Sequence, residues 1–521
     1  MRPMPTATDS LVSWSTVDLR RAIGDRTISP VELLRACLDR IQALNPYLNA
    51  ITATCYDRAM KEAREAEQDV LRGLPLGALH GLPLGVKDLE ETEGLLTTFG
   101  SPMYRAHVPA ADNLMVGRMR RAGAIVVGKT NVPELGAGAN TRNPVWGATG
   151  NPFDPRLNCG GSSGGSAVAL ATDMLPLCTG SDTGGSLRIP AAKCGVIGFR
   201  PSPGLVPVER RALGWTPISV VGPMGRSMDD VGLHLSAIAG RGDCDPLSYD
   251  VDATAFASLR PRDLGSLRVG YTVDFGVCDV DDDIRRVFRA RIEAMRHLFK
   301  RCDEVQADLG AAHRCFDVIR AANYVARYRD AYEADPNNLG PNPRANYEMG
   351  ASMTLADHTA AHLDQTRMFK AFQTLYRDYD IILAPTTPVS PFPWTQLALD
   401  RINGKPQENY YRWLALTYVV TLMTNPALSM PCGRDHAGMP FGMQVIGGFR
   451  QDLALLEICK SLEWAWARQP DLARPLPDLA RLRAQPPVDF RTGIVTAPPD
   501  AALARGDAGA RRAAGSVDVA V

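Results

Sequence analysis

Apolar residues near the N-terminus recur at helical spacing, and farther along they gather into short runs. Leu34, Cys37, Ile41 and Leu44 stand three or four residues apart, the repeat of one helix face. Ser29-Pro30-Val31-Glu32 ahead of them has the form of a capping box with proline at the first helical position. Asn45-Pro46 ends that helix. Ala59, Ala63, Ala66 and Val70 predict a second helix, closed by Gly73. Past residue 80 the pattern changes. Residues 82–86, 124–127 and 175–178 are apolar runs of strand length bounded by Gly, Pro or Asp, with helical patterns between them. Such alternation predicts an α/β sheet. Residues 281–300 predict a surface helix, with Asp281, Asp282 and Asp283 at its start and Ile284, Val287, Phe288, Ile292, Met295 and Phe299 as its apolar stripe. Residues 381–385 and 428–431 are strand ends closed by proline.

At 521 residues, a divisor of about 150 residues per domain suggests three or four domains. Charge narrows the function: 57 basic residues balance 57 acidic ones, against a nucleic-acid binder working through an overall basic field. The eleven cysteines contain no CxxC pair, so reduced thiols in a cytoplasmic protein are expected rather than a disulfide or zinc framework. The opening MRPMPTATDS has no apolar signal region, and the longest nearly apolar stretch, 414–423, is too short to span a membrane. From about 475 the chain is rich in Pro, Ala and Arg, so residues 486–521 are expected to form a poorly ordered tail.

Two motifs point in misleading directions. Gly123 to Thr130 spells the phosphate-loop pattern GxxxxGK[ST]. The residues between its glycines are Ala-Ile-Val-Val, which favour a buried strand over a flexible loop, and Asn131-Val132-Pro133 opens a helix poorly. A P-loop NTPase is therefore a remote alternative. GxSxG occurs twice, centred on Ser162 and Ser163. No strand precedes it and none of the eight histidines is placed as a partner, so a Ser-His-Asp esterase is equally remote.

The segment that carries chemistry holds two glycine-serine clusters, Gly160 to Ser166 and Gly180 to Pro190. Each sits at an element end, where glycines let the backbone bend and successive N–H groups converge on an anion. A serine there stands beside a preformed oxyanion hole and needs a base. In Gly81-Leu82-Pro83-Leu84-Gly85-Val86-Lys87-Asp88, a strand would turn Lys87 away from Leu84 and Val86, with small neighbours around it. Burial there would lower its pKa. A surface lysine remains an equal reading of that segment alone.

Taken together, GLPLGVKD, GGSSGGS, TGSDTGGSLRIP, the Ala427-to-Gly433 run and Gly442-to-Gly447 resemble the amidase signature family, over roughly residues 10–470. The resemblance implies one large α/β domain: a central twisted mixed β-sheet covered by helices on both faces, with N-terminal helices over 1–75 and the core over 76–485. It implies a triad of Ser186 as nucleophile, Ser162 as a bridging serine following a cis peptide bond, and Lys87 as base. The N–H groups of Thr183, Gly184, Gly185 and Ser186 would form the oxyanion hole, and Ser163, Asp182 and Arg188 would orient the loops. No metal or organic cofactor is expected.

The implied reaction is hydrolysis of a linear amide, aryl or acyl, extending to a carbamate or ester, through an acyl-enzyme. The alternative is the glutaminase component of the tRNA-dependent amidotransferase. The expected partner is a small, largely uncharged molecule rather than nucleic acid or membrane, and a homodimer is a family-level expectation. The acyl pocket is expected from 136–146 and 300–420, where Tyr324, Tyr328, Tyr332, Tyr347, Trp394, Tyr410, Tyr411 and Trp413 gather.

Overall fold

The computed structural model describes residues 10–506. Its centre is one mixed sheet of eleven strands. In chain order these are β1 (Ile51–Thr54), β2 (Pro83–Lys87), β3 (Ile125–Thr130), β4 (Leu177–Asp182), β5 (Ile197–Arg200), β6 (Val220–Gly225), β7 (Arg268–Tyr271), β8 (Arg301–Glu304), β9 (Ile381–Pro385), β10 (Ala427–Arg434) and β11 (Pro440–Gly447). Across the sheet they run β1-β3-β2-β4-β6-β5-β10-β11-β9-β7-β8. β2 is parallel to β3 and β4, and β7 is parallel to β8 and β9. The remaining neighbours are antiparallel. Every residue of β2, β3, β9 and β11 is buried, so helices and loops cover both faces. Uncovered strands would alternate between buried and wet positions.

Local chemistry sets the helices. The helix Pro30–Leu44 opens on a complete capping box: the Glu32 N–H donates to Ser29 Oγ at 3.0 Å, and the Ser29 N–H donates back to the Glu32 carboxylate. Its Leu33, Leu34, Cys37 and Ile41 enter a core that runs on to Leu503. That one continuous core argues for a single body over the three or four domains suggested by length alone. The helix Tyr56–Arg72 ends on Gly73, whose φ of +69° suits a residue without a side chain.

Two expectations meet a different outcome, and between them a third, the buried strand read in place of a phosphate loop, is met. The strand expected over 175–178 begins at Leu177 and runs to Asp182, because Cys178 through Asp182 pair with Met224 through Val220 of β6. The phosphate-loop match is strand β3. Its Lys129 is fully buried, donating to the Glu90 carbonyl and to Thr92 Oγ1, and only a 3-10 turn follows at Glu134–Gly136. The tail expected from 486 is packed as far as 506. Phe490 is buried against Ala148 and Trp394, its carbonyl accepts the Ala148 N–H at 2.9 Å, and Leu503 joins the main core. Composition averages over such anchors: Phe490, Ala497 and Leu503 are buried in a segment otherwise rich in Pro and exposed residues. Residues 507–521 lie outside the described residues. No helix among the described residues is long and apolar enough to cross a membrane.

The site follows from β2 and β4. They are parallel neighbours, with Leu84 beside Leu177 and Gly85 beside Cys178, so their C-terminal residues, Lys87 and Asp182, emerge at the same edge of the sheet. That edge is where α/β sheets bind ligands. The close approach needs glycine at 85: a Cβ there would stand 2.8 Å from Leu175 and 3.1 Å from Cys178 Sγ.

Candidate active site

Lys87 is fully buried at the end of β2. Its Nζ donates to Ser162 Oγ at 2.8 Å, Ser163 Oγ at 2.7 Å and Ser181 Oγ at 2.9 Å. Its backbone N–H is held by Thr179 Oγ1 at 2.8 Å. Ser162 and Ser163 lie in the bend before the helix Gly164–Ala171, and the Gly161–Ser162 peptide is cis. Burial pushes the Lys87 ammonium below the ordinary lysine range, while the charges of Glu90 and Asp182 act against that shift. Three hydroxyls around a lysine with no salt-bridge partner among the described residues suit a neutral amine that exchanges protons with its neighbours.

Asp182 ends β4 and organises the second glycine-serine cluster. It is fully buried, and its oxygens accept from Arg188 Nε at 3.0 Å and Nη2 at 2.9 Å, and from Arg200 Nη1 at 3.2 Å. They also accept the N–H groups of Gly185 at 2.8 Å and Leu187 at 3.2 Å. These cations and donors outweigh the cost of burial and hold the carboxyl far below the usual carboxylate range. Arg188 reaches on to the Thr417 carbonyl at 2.9 Å, Gln444 Oε1 at 2.7 Å and Thr421 Oγ1 at 3.0 Å. Gly185 sits at φ +121°, and a Cβ there would stand 2.2 Å from Thr417 Oγ1.

Both clusters open onto one cavity of about 210 Å³, lined by Ser162, Ser181, Thr183 and Ser186. Among the described residues, no histidine lines it, which removes the base a Ser-His-Asp arrangement needs.

The amidase family model matches residues 32–456. An acylamidase of Rhodococcus erythropolis is 30% identical over 465 residues, spanning 88% of this chain and 96% of that protein. The chain belongs to the amidase family. Enzymes of this class hydrolyse carbon–nitrogen bonds other than peptide bonds in linear amides, and this chain is one of them. One component of the glutamyl-tRNA(Gln) amidotransferase of Acaryochloris marina is also 30% identical over 465 residues, 84% of this chain and 95% of that protein. A solved bacterial aryl acylamidase of the amidase signature family superposes with a TM-score of 0.82 at 26% identity, covering 91% of this chain and 99% of that one.

In this amidase the site residues expected from sequence come together on one edge of the sheet. Lys87 contacts Ser162 and Ser163 directly, and Asp182 contacts Arg188. Ser186 shares the cavity wall with Ser162, and its carbonyl accepts the Ser163 N–H at 3.2 Å. Of the four backbone donors expected for an oxyanion hole, Gly185 is taken by Asp182. Sequence reasoning passed over Ser181, Arg200, Thr417, Thr421 and Gln444. Ser181 had a signal: it lies two residues beyond Thr179 on a strand whose next residue is Asp182, so it shares a face with the contact to Lys87.

The expected aromatic pocket is mostly structural. Only Tyr324 and Tyr328 line the cavity. Trp394 packs on Phe490, Trp413 on Phe392, and Tyr332 on Tyr347. Gly136 alone of 136–146 reaches the wall, which is completed by residues 207–212 and 218–221. Replacing Asp182 with asparagine strands two buried guanidinium groups. The expected cost is about 3–5 kcal/mol of stability, read as a lower midpoint in urea unfolding. An unchanged midpoint would show that the cluster does not depend on this charge.

Proposed function

We propose that this amidase hydrolyses linear aryl or acyl amides through a serine acyl-enzyme, with Ser186 as nucleophile, Ser162 as proton bridge and Lys87 as base. The observation that carries the reading is the buried Lys87 amine 2.8 Å from Ser162 Oγ, on the wall of the cavity that Ser186 shares. Ser186 Oγ attacks the amide carbon, its proton moves to Ser162, and the Ser162 proton moves to neutral Lys87. The carbonyl π-pair becomes the oxyanion, received by the N–H groups of Thr183, Gly184 and Ser186. The N–H of Gly185 stays with Asp182 and fixes the curve of the loop. As the tetrahedral intermediate collapses, the proton returns from Lys87 through Ser162 to the nitrogen, and the amine leaves. Water then attacks the ester carbon, passing its proton along the same path, and Ser186 is restored. Ser163 and Ser181 hold the Lys87 amine in place, and Asp182 and Arg188 hold the second cluster.

The amide carbonyl meets a cavity walled by Leu89, Met115, Leu135, Val220, Tyr324 and Tyr328, which favours an acyl or aryl group of moderate size. The eleven unpaired cysteines fit work in the reducing cytoplasm. The second reading, glutaminase activity within a tRNA-dependent amidotransferase, is favoured by the likeness to the Acaryochloris marina protein. A hydrolysis screen over anilides, primary amides, carbamates and glutamine decides between them. The proposal expects anilide or acyl-amide turnover by the chain alone. Glutamine turnover appearing only when partner proteins are added would reverse the order.

A further inference from the structure

The cavity wall carries more cationic charge than the chemistry above requires. Four arginines line it: Arg210, Arg211, Arg320 and Arg327. Arg210 pairs with Glu91, and Arg211 with Asp245 at 2.6 Å. Arg320 and Arg327, seven residues apart on the helix Ala312–Ala334, have no carboxylate within ion-pair distance among the described residues. Arg320 is 5% exposed. Its Nε donates to Asn346 Oδ1 at 2.9 Å, and its Nη2 donates to Tyr410 Oη at 2.7 Å and Tyr324 Oη at 3.3 Å. The rings of Phe316, Tyr324, Tyr410 and Tyr411 surround the guanidinium at 4.9–5.8 Å. Nη1 makes no hydrogen bond among the described residues.

A buried cation without an anion is costly, and the aromatic cage answers only part of that cost. The cage also holds the guanidinium rigid, so that its free edge meets a ligand without further ordering. Two acids share the wall, Glu90 and Glu209. Glu209 is exposed and accepts the Leu114 N–H at 2.8 Å. Glu90 is buried, and burial raises its carboxyl pKa, with Lys87, Asn113, Lys129 and Arg327 acting against the shift. Neither acid forms an ion pair with Arg320.

We infer that the substrate is a linear amide bearing a carboxylate away from the scissile bond, bound by Arg320 and Arg327. This rests on the proposed amide hydrolysis at Ser186 and adds the charge of the substrate. An ω-carboxy amide would place its carbonyl at Ser186, its chain along Tyr324 and Tyr328, and its anion at the free guanidinium edge. The inference adds one negative charge to the small molecule expected from the net charge of zero: the whole-chain balance does not reveal that two arginines outside any ion pair among the described residues face one cavity.

The test compares the monoanilides of succinic, glutaric and adipic acids with their methyl esters, which keep the anilide and remove the charge. The full chain should hydrolyse the best acid at least about tenfold better in kcat/KM than its ester. Arg320→Gln and Arg327→Gln should lose that preference through KM while leaving ester turnover within about twofold. Arg327→Lys should keep part of it. Glutarate should compete with hydrolysis of acetanilide in the wild type and not in Arg320→Gln. Arg320→Gln removes a buried contact to Asn346, so Arg327→Gln and the glutarate competition in the wild type stand as readouts independent of that variant. Equal or better turnover of the esters, no competition by glutarate, or equal losses on acid and ester would each overturn the inference. Absence of hydrolysis on every amide, neutral ones included, would instead overturn the function on which it rests.

Discussion

Replacing Ser186 with alanine should lower kcat by roughly 10⁴-fold or more while the chain stays folded. The size follows from the proposed role of Ser186 Oγ as the atom that forms the acyl-enzyme: without it, what remains is water attack assisted by binding and by the backbone donors. Ser186 is half-buried on the cavity wall, so losing one hydroxyl leaves no buried polar group without a partner. Thermal unfolding should therefore move little, and circular dichroism should match the wild type. Ser162→Ala separates nucleophile from bridge. It removes the contact to Lys87 at 2.8 Å and should slow both acylation and deacylation, with Ser186 still open to slow acylation. Turnover by Ser186→Ala within tenfold of the wild type would remove Ser186 from the mechanism.

The second large effect belongs to Lys87. Lys87→Met keeps the length of the side chain and removes the amine. The expected loss in kcat/KM is about 10²–10⁴-fold, the range of a positioned general base. Stability should not fall in parallel, because a buried amine is replaced by an apolar chain of similar volume. That split between activity and melting temperature distinguishes a base from a structural lysine. The pH profile gives an independent reading. In the proposed mechanism the active form is the neutral amine, so kcat/KM should rise with pH as Lys87 loses its proton. Burial lowers its pKa from 10.5, so the rise should be complete well below that value. The Glu90 carboxylate stabilises the ammonium and raises the Lys87 pKa. Glu90→Gln should therefore move the rising limb to lower pH. A limb that stays in place, or moves up, would mean that another group controls it.

Much of this was legible in the sequence, for physical reasons that differ by element. The helix Pro30–Leu44 announces itself because capping and periodicity agree. β2 and β3 announce themselves because buried parallel strands are short and apolar between glycines. The two glycine-serine clusters stand out because their bends need many residues without side chains: a Cβ at Gly165 would stand 2.2 Å from the Asn131 nitrogen, and one at Gly180 would stand 2.4 Å from Leu187. The residues passed over are those whose partners lie far along the chain. Gln444 and Thr421 serve Arg188 across 256 and 233 positions, and Arg200 reaches Asp182 only because β5 lies close to it in the sheet. Aromatics near the site were legible as a composition and not as places. The same residue type packs Trp394 under the C-terminal segment and cages Arg320 at the cavity.

The central claim is that Ser186 carries the acyl group. The direct measurement is mass spectrometry of the protein after labelling with a fluorophosphonate, with fragment spectra that separate Ser186 from Ser162 and Ser163, since all three share one tryptic peptide between Arg156 and Arg188. The account predicts a single adduct on Ser186, absent from Ser186→Ala and strongly slowed in Lys87→Met. An adduct on Ser162 or Ser163 in the wild type, or undiminished labelling of Ser186→Ala, would contradict it.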